Sequence, residues 1–105
     1  MRKLSEVLAI ARQHVAGGWA PLISRDASGA MCDHQDEGIT KFCLVDALLA
    51  AAQGDLDLWW AAGVVLRRIA GAPLGDWEAA PKRSQDDVLH LFSRAQSNAA
   101  AGETR

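Results

Sequence analysis

The 105-residue chain has no tyrosine, two phenylalanines and two cysteines. Two cysteines are too few for the disulfide framework that holds many small secreted domains together. Cys32 and Cys43 could form one bridge, but free thiols in a reducing compartment suit this composition better. The sequence therefore predicts a cytoplasmic protein that depends on an apolar core.

The chain also lacks an excess of one charge and any long apolar run. Eleven basic and thirteen acidic residues give a formal net charge of −2, so no positive field attracts nucleic acid. The longest apolar stretches, near 42–52 and 58–66, are too short to cross a bilayer. Glu6, Arg12 and His14 interrupt the N-terminal segment, which therefore does not resemble a signal peptide. We expect neither a membrane nor nucleic acid as a partner.

Cysteine and histidine do not form a familiar metal or nucleophile motif. Structural zinc usually takes four ligands, often in close pairs, and the chain has no Cys-x-x-Cys. A cysteine nucleophile needs a nearby base, which His34 could supply to Cys32, and His14 or His90 to Cys43. Cys43 falls within a buried helical face, where thiols are usually inert. The sequence therefore predicts no metal, no cofactor and no catalytic residue.

Apolar residues three and four positions apart predict four helices in one domain over residues 1–97. The predicted helices cover 3–16, 38–53, 56–70 and 84–97. Asp55 is a predicted cap for the third helix, and Ser84 with Asp87 resembles a capping box for the fourth. Residues 98–105 are predicted to form a flexible tail.

The first two predicted helices are separated by turn residues at 24–29. The segments 21–23 and 30–32 on either side could pair as a short β-hairpin. The second helix is apolar on almost every side, which is typical of a central, buried helix. The predicted fold class is therefore mostly α, a compact four-helix domain packed around the segment from Ile39 to Leu49.

Four short motifs occur in order between residues 4 and 96. They are Gly18-Trp19, Asp26-Ala27-Ser28-Gly29, Phe42-Cys43-Leu44-Val45-Asp46-Ala47-Leu48, and Trp77 before Lys82-Arg83-Ser84-Gln85-Asp86-Asp87-Val88-Leu89. This order resembles a family of small bacterial and phage proteins classed as a domain of unknown function. The resemblance implies a small, mostly helical fold and supplies no activity. The presence of this family in phages suggests that some members inhibit or modulate a host system.

The chain departs from the family pattern at two places. Relatives usually have Trp-Cys-Ala-Leu-Gly-Ala-Leu where this chain has Phe42 to Leu48, so that Asp46 replaces a glycine. They usually have Trp-Asn-Asp where this chain has Trp77-Glu78-Ala79. If the Asn-Asp pair of the second motif acts chemically in the family, this chain lacks that chemistry.

The adjacent residues Trp59 and Trp60 predict an interaction surface. Neighbouring side chains lie about 100° apart on a helix, so the two indoles cannot share one facet. One can anchor the core, while the other must meet another element, a partner chain or solvent. Arg67 and Arg68 follow on the same helix, and tryptophan and arginine are frequent interface hot spots. We predict a non-enzymatic protein-interaction module that binds another protein or associates with itself.

The alternative is a pocket lined by Trp19, Cys43, Asp46 and Trp77. A carboxylate inside an apolar helix is costly unless it is paired, and Arg67, Arg68, Lys41 or a backbone amide could satisfy Asp46. A desolvated carboxylate is also a candidate acid or base. With a histidine, these residues would form the site of a small enzyme or ligand-binding protein.

Overall fold

The computed structural model describes residues 2–103, which form five α-helices and one two-stranded sheet. In chain order the elements are α1 (Leu4–Gly17), β1 (Arg25–Asp26), β2 (Ile39–Lys41), α2 (Leu44–Ala52), α3 (Leu56–Ala70), α4 (Leu74–Glu78) and α5 (Gln85–Glu103). The mostly helical class is confirmed. The predicted number of four helices is wrong, because α4 is a further short helix in a segment expected to be a loop.

The centre of the fold is α1 and not the predicted second helix. One stripe of α1, formed by Val7, Leu8, Ala11 and Val15, is completely buried. The helix packs against α2, α3, α5 and β2, whereas α2 packs chiefly on α1, α3 and α4. One side of α2 is therefore buried, and its other side, which includes Val45, is partly exposed.

The second helix is shorter than its predicted span of 38–53. Ile39–Lys41 forms β2 instead, in keeping with the β-branched Ile39 and Thr40. The helix begins at Leu44 with Cys43 as its N-cap residue. The predicted third helix, by contrast, is confirmed from its first residue to its last, and the Asp55 carboxylate accepts a hydrogen bond from the Leu58 amide.

A short antiparallel sheet does lie between α1 and α2, where β1 pairs with β2. The predicted pairing of residues 21–23 with 30–32 is wrong. Leu22 has a φ of 68°, a left-handed conformation that interrupts an extended strand. The second of the two segments contributes an isolated bridge in which Met31 lies opposite Arg25.

The last helix begins as predicted but ends later. The Ser84 amide donates to the Asp87 carboxylate at 3.0 Å, and the Asp87 amide donates to the Ser84 hydroxyl at 3.2 Å, which confirms the capping box. The predicted helix end at residue 97 is wrong, because α5 continues to Glu103. Ala99 is buried, and the amide and hydroxyl of Ser5 both donate to the Glu103 carboxylate. The part of the predicted tail up to residue 103 is therefore helical and joined to α1.

Candidate functional site

The two adjacent tryptophans of α3 diverge as their spacing predicts. Trp59 is partly buried and packs against the core, while Trp60 is 68% exposed. Their ring centroids are 6.5 Å apart and their planes are inclined by 59°. One indole therefore supports the fold and the other projects from it.

Trp60 belongs to a continuous stripe on the outer face of α3. Leu56, Trp60, Gly63 and Arg67 follow at helical spacing, with Val64 beside them. Leu56 is 64% exposed. Gly63 leaves the middle of the stripe without a side chain. We call this stripe, with Val64, the α3 face.

A cleft of about 280 Å³ lies beside the α3 face. Its walls come from Val45 and Leu48 of α2, from Trp60 and Gly63 of α3, and from Leu74 of α4, among others. Arg67 is the charged residue of the lining, and Arg68 does not line the cleft. Of the four predicted interface residues, Trp59, Trp60 and Arg67 thus share this first cleft.

A second cleft of about 570 Å³ lies between α2, the start of α3 and the loop that carries His34. Its lining is more polar and includes His34, Gln53 and Asp55. Trp59 lines both clefts. The partly buried indole is therefore a shared wall between them.

The exposed charges of α3 are segregated between its ends. Asp57 lies in the first turn, and Arg67 and Arg68 lie in the last turn. All three are exposed, and within residues 2–103 none of their side chains forms an ion pair or a hydrogen bond. This order complements the dipole of α3 itself and leaves all three charged side chains available to a partner.

The four predicted pocket residues do not line either cleft. Trp19, Cys43 and Asp46 gather around the first turn of α2, and Trp77 lies in α4 nearby. Trp77 packs against the core, with the Arg83 guanidinium 3.9 Å from its ring centroid. The structure therefore brings these residues into one region, but as packed side chains.

Glu78 connects this region, and sequence reasoning did not identify it. It is 2% exposed, and its carboxylate accepts from the Trp19 indole at 2.8 Å, from the Leu44 amide at 2.8 Å and from the Leu22 amide at 3.1 Å. Leu44 is the first residue of α2, where amides lack helical partners and a negative charge is favoured. The departure from the family motif at Glu78 was the one signal that could have indicated its importance.

Asp46 is paired through a hydroxyl and not through a basic side chain or an amide. The fully buried Ser24 donates to the Asp46 carboxylate at 2.6 Å and accepts from the Cys43 amide at 3.0 Å. The predicted partners of Asp46 are therefore wrong, because Ser24 reaches it from the loop before β1. Ser24, like Glu78, holds the first turn of α2 in place.

Neither thiol has the environment of a nucleophile. Burial raises the pKa of the Cys43 thiol above its ordinary value. Desolvation, followed by the negative charge of Asp36, raises the pKa of the Cys32 thiol as well. His14 stacks on Phe42 with centroids 4.6 Å apart, and among the described residues no histidine hydrogen-bonds to either cysteine. The thiols therefore stay protonated near neutral pH.

Comparison with known proteins identifies a family that matches this chain. A family model described as "Family of unknown function (DUF6197)" matches residues 1–98, which confirms the resemblance inferred from the motifs. No curated protein and no solved structure matches the chain. Across residues 2–103, the structure has no cluster of three or more His, Cys, Asp or Glu suited to a metal ion. Over the same range, no helix combines the length and apolarity needed to span a bilayer.

Proposed function

We propose that this chain, which belongs to the family of unknown function DUF6197, is a non-enzymatic protein-interaction module. Its contact surface is the α3 face together with the first cleft. The observation that carries the proposal is the 68% exposure of Trp60 directly beside an apolar cleft. Exposed apolar patches in soluble proteins often belong to interaction sites, and tryptophan is enriched among interface hot spots.

The exposed indole is large enough to contribute substantially to binding. An aromatic side chain buries about 150–250 Å² when fully covered. Covering the exposed two-thirds of Trp60 would remove about 100–170 Å² from water, which corresponds to about 2.5–4 kcal/mol at about 25 cal/mol per Å². Leu56, one turn away on the same face, would add to this contribution.

The alternative of a small enzyme or ligand-binding protein has less support. The carboxylates of Glu78 and Asp46 already accept hydrogen bonds that hold α2 in place, and the Cys43 thiol is buried with a raised pKa. None of these groups faces either cleft. The two free cysteines support the cytoplasmic location that belongs to the proposal. A phage occurrence of the family, which the sequence resemblance implies, would support modulation of a host system as a further part of the proposal.

The test is an affinity capture from a lysate of the source cells with the wild-type chain, Trp60→Asp and Met31→Asp. Met31 is a matched control because it is 66% exposed and lies on a different surface, in the loop between α1 and α2. We expect Trp60→Asp to lose a partner that Met31→Asp retains, with unchanged circular dichroism in both variants. A folded Trp60→Asp variant that retains every captured partner would overturn the proposal.

A further inference from the structure

The α3 face and the neighbouring Asp57 together carry both halves of each contact that a symmetric dimer needs. A twofold interface places one patch against a second copy of itself, so the patch must be complementary to itself. The projecting Trp60 lies next to a recess at Gly63 that forms part of the first cleft. The acidic Asp57 and the basic Arg67 are both exposed, at opposite ends of the helix. Asp57 is in line with Val64, seven residues later, at one edge of the α3 face.

A single antiparallel register satisfies the apolar and the charged contacts together. Trp60 and Val64 lie two positions on either side of Ala62, and Asp57 and Arg67 lie five positions on either side of it. If two α3 helices run antiparallel with their twofold axis at the level of Ala62, Trp60 meets Val64 and the adjacent recess of the other copy. Asp57 then lies level with the oppositely charged Arg67 of the other copy.

Gly63 gives an independent reason to expect a close neighbour outside the chain. Glycine in a helix interior is destabilising relative to alanine. Nothing among residues 2–103 requires it, because a Cβ added at Gly63 would meet none of their atoms within 4 Å. A glycine in the middle of an exposed helical face does, however, allow another helix to approach its backbone closely.

We infer that the partner on the α3 face is a second copy of this chain, bound with the two α3 helices antiparallel. This inference rests on the proposed function because it uses the same surface. It goes further by naming a second copy of the chain as what binds there. The charge pattern favours this occupant. Asp57 and Arg67 are exposed and unpaired within the described residues, so each can pair across the axis.

The first test measures self-association of the full chain by sedimentation equilibrium over a range of concentrations. We expect a reversible dimer that Trp60→Asp weakens more than about tenfold, as for a tryptophan hot spot. Gly63→Leu should weaken it to a similar extent, although leucine favours the helix more than glycine does. Met31→Asp, the matched control, should associate like the wild type.

Charge reversal tests the antiparallel register. Asp57→Arg and Arg67→Asp should each weaken the dimer, and the double variant should restore it, because the pair is then reversed but again complementary. Asp57→Arg also removes the net charge of −2, so a general charge effect would strengthen association instead. Weakening by that variant followed by recovery in the double variant is therefore specific to the pairing.

A wild-type chain that stays monomeric at its highest soluble concentration would overturn the inference. A dimer that tolerates both Trp60→Asp and Gly63→Leu would also overturn it, because another surface would then be responsible. Neither result decides the proposed function. Trp60-dependent capture of a different protein by a monomeric chain would leave the proposed function standing and overturn this inference. A chain that neither dimerises nor captures any protein through Trp60 would overturn both.

Discussion

Trp19 and Glu78, 59 residues apart in sequence, are joined by a hydrogen bond of 2.8 Å between the indole nitrogen and the carboxylate. The same carboxylate accepts from the first amide of α2, so one buried side chain connects the segment after α1, the start of α2 and the end of α4. This connection fixes α2, which forms one wall of the first cleft. Glu78 therefore supports the candidate interaction surface from inside the fold.

Glu78→Ala should strongly destabilise the fold. The substitution leaves the Trp19 indole and the amides of Leu22 and Leu44 without their acceptor. An unsatisfied buried donor costs about 1–3 kcal/mol. The Leu44 bond is buried and the other two are partly buried, so we expect the free energy of unfolding to fall by about 2–3 kcal/mol. Urea denaturation followed by circular dichroism measures this value. Asp76→Ala, an exposed acid in the same helix, is the control, and equal effects of the two substitutions would contradict the role of Glu78.

Stability should fall in mild acid because of His14. Burial, followed by the positive charge of Arg2, lowers the pKa of His14 below its ordinary value of 6.5. The unfolded chain therefore binds a proton more readily than the folded chain. The free energy of unfolding should accordingly decrease as the pH falls below about 6.5, and level off only below the pKa of the folded state. Unfolding curves across this range should show a smaller decrease for His14→Gln, and equal decreases would contradict the prediction.

The two thiols should differ in accessibility and share low reactivity. The pKa of each thiol is raised, so little thiolate is present at neutral pH. With a disulfide reagent, we expect Cys32 to react slowly in the folded chain, at a rate that increases with pH. Cys43 should react only after unfolding. The Cys32→Ser variant isolates Cys43, and rapid labelling of that variant in its folded state would contradict the inert role assigned here.

Local signals in the sequence were sufficient for some elements. The third helix was predicted with its correct ends because Asp55 caps its start and Gly71, with a φ of 75°, ends it. The start of α5 was predicted because Ser84 and Asp87 cap each other within one turn. The divergence of Trp59 and Trp60 also followed from a local rule, the angle between neighbouring residues on a helix. This rule predicted that one of the two indoles is exposed, and the structure shows that it is Trp60.

Other features depend on contacts between distant parts of the chain. The extension of α5 to Glu103 is accompanied by hydrogen bonds to Ser5, 98 residues away in sequence. The short helix α4 has only five residues, too few for a recognisable apolar period. The functions of Ser24 and Glu78 as hydrogen-bonding partners of α2 could not be inferred, because their partners lie 19–59 residues away.

The most direct test of the interaction surface replaces Trp60 with a photoreactive aromatic residue, benzoylphenylalanine, in the source cells. We expect irradiation to join position 60 to a protein, either a second copy at its α3 face or another chain, as identified by mass spectrometry. The same residue at position 31 should give no such product, although Met31 is equally exposed. Position 60 without a protein crosslink, or with the same products as position 31, would contradict the assignment of the α3 face as a binding surface.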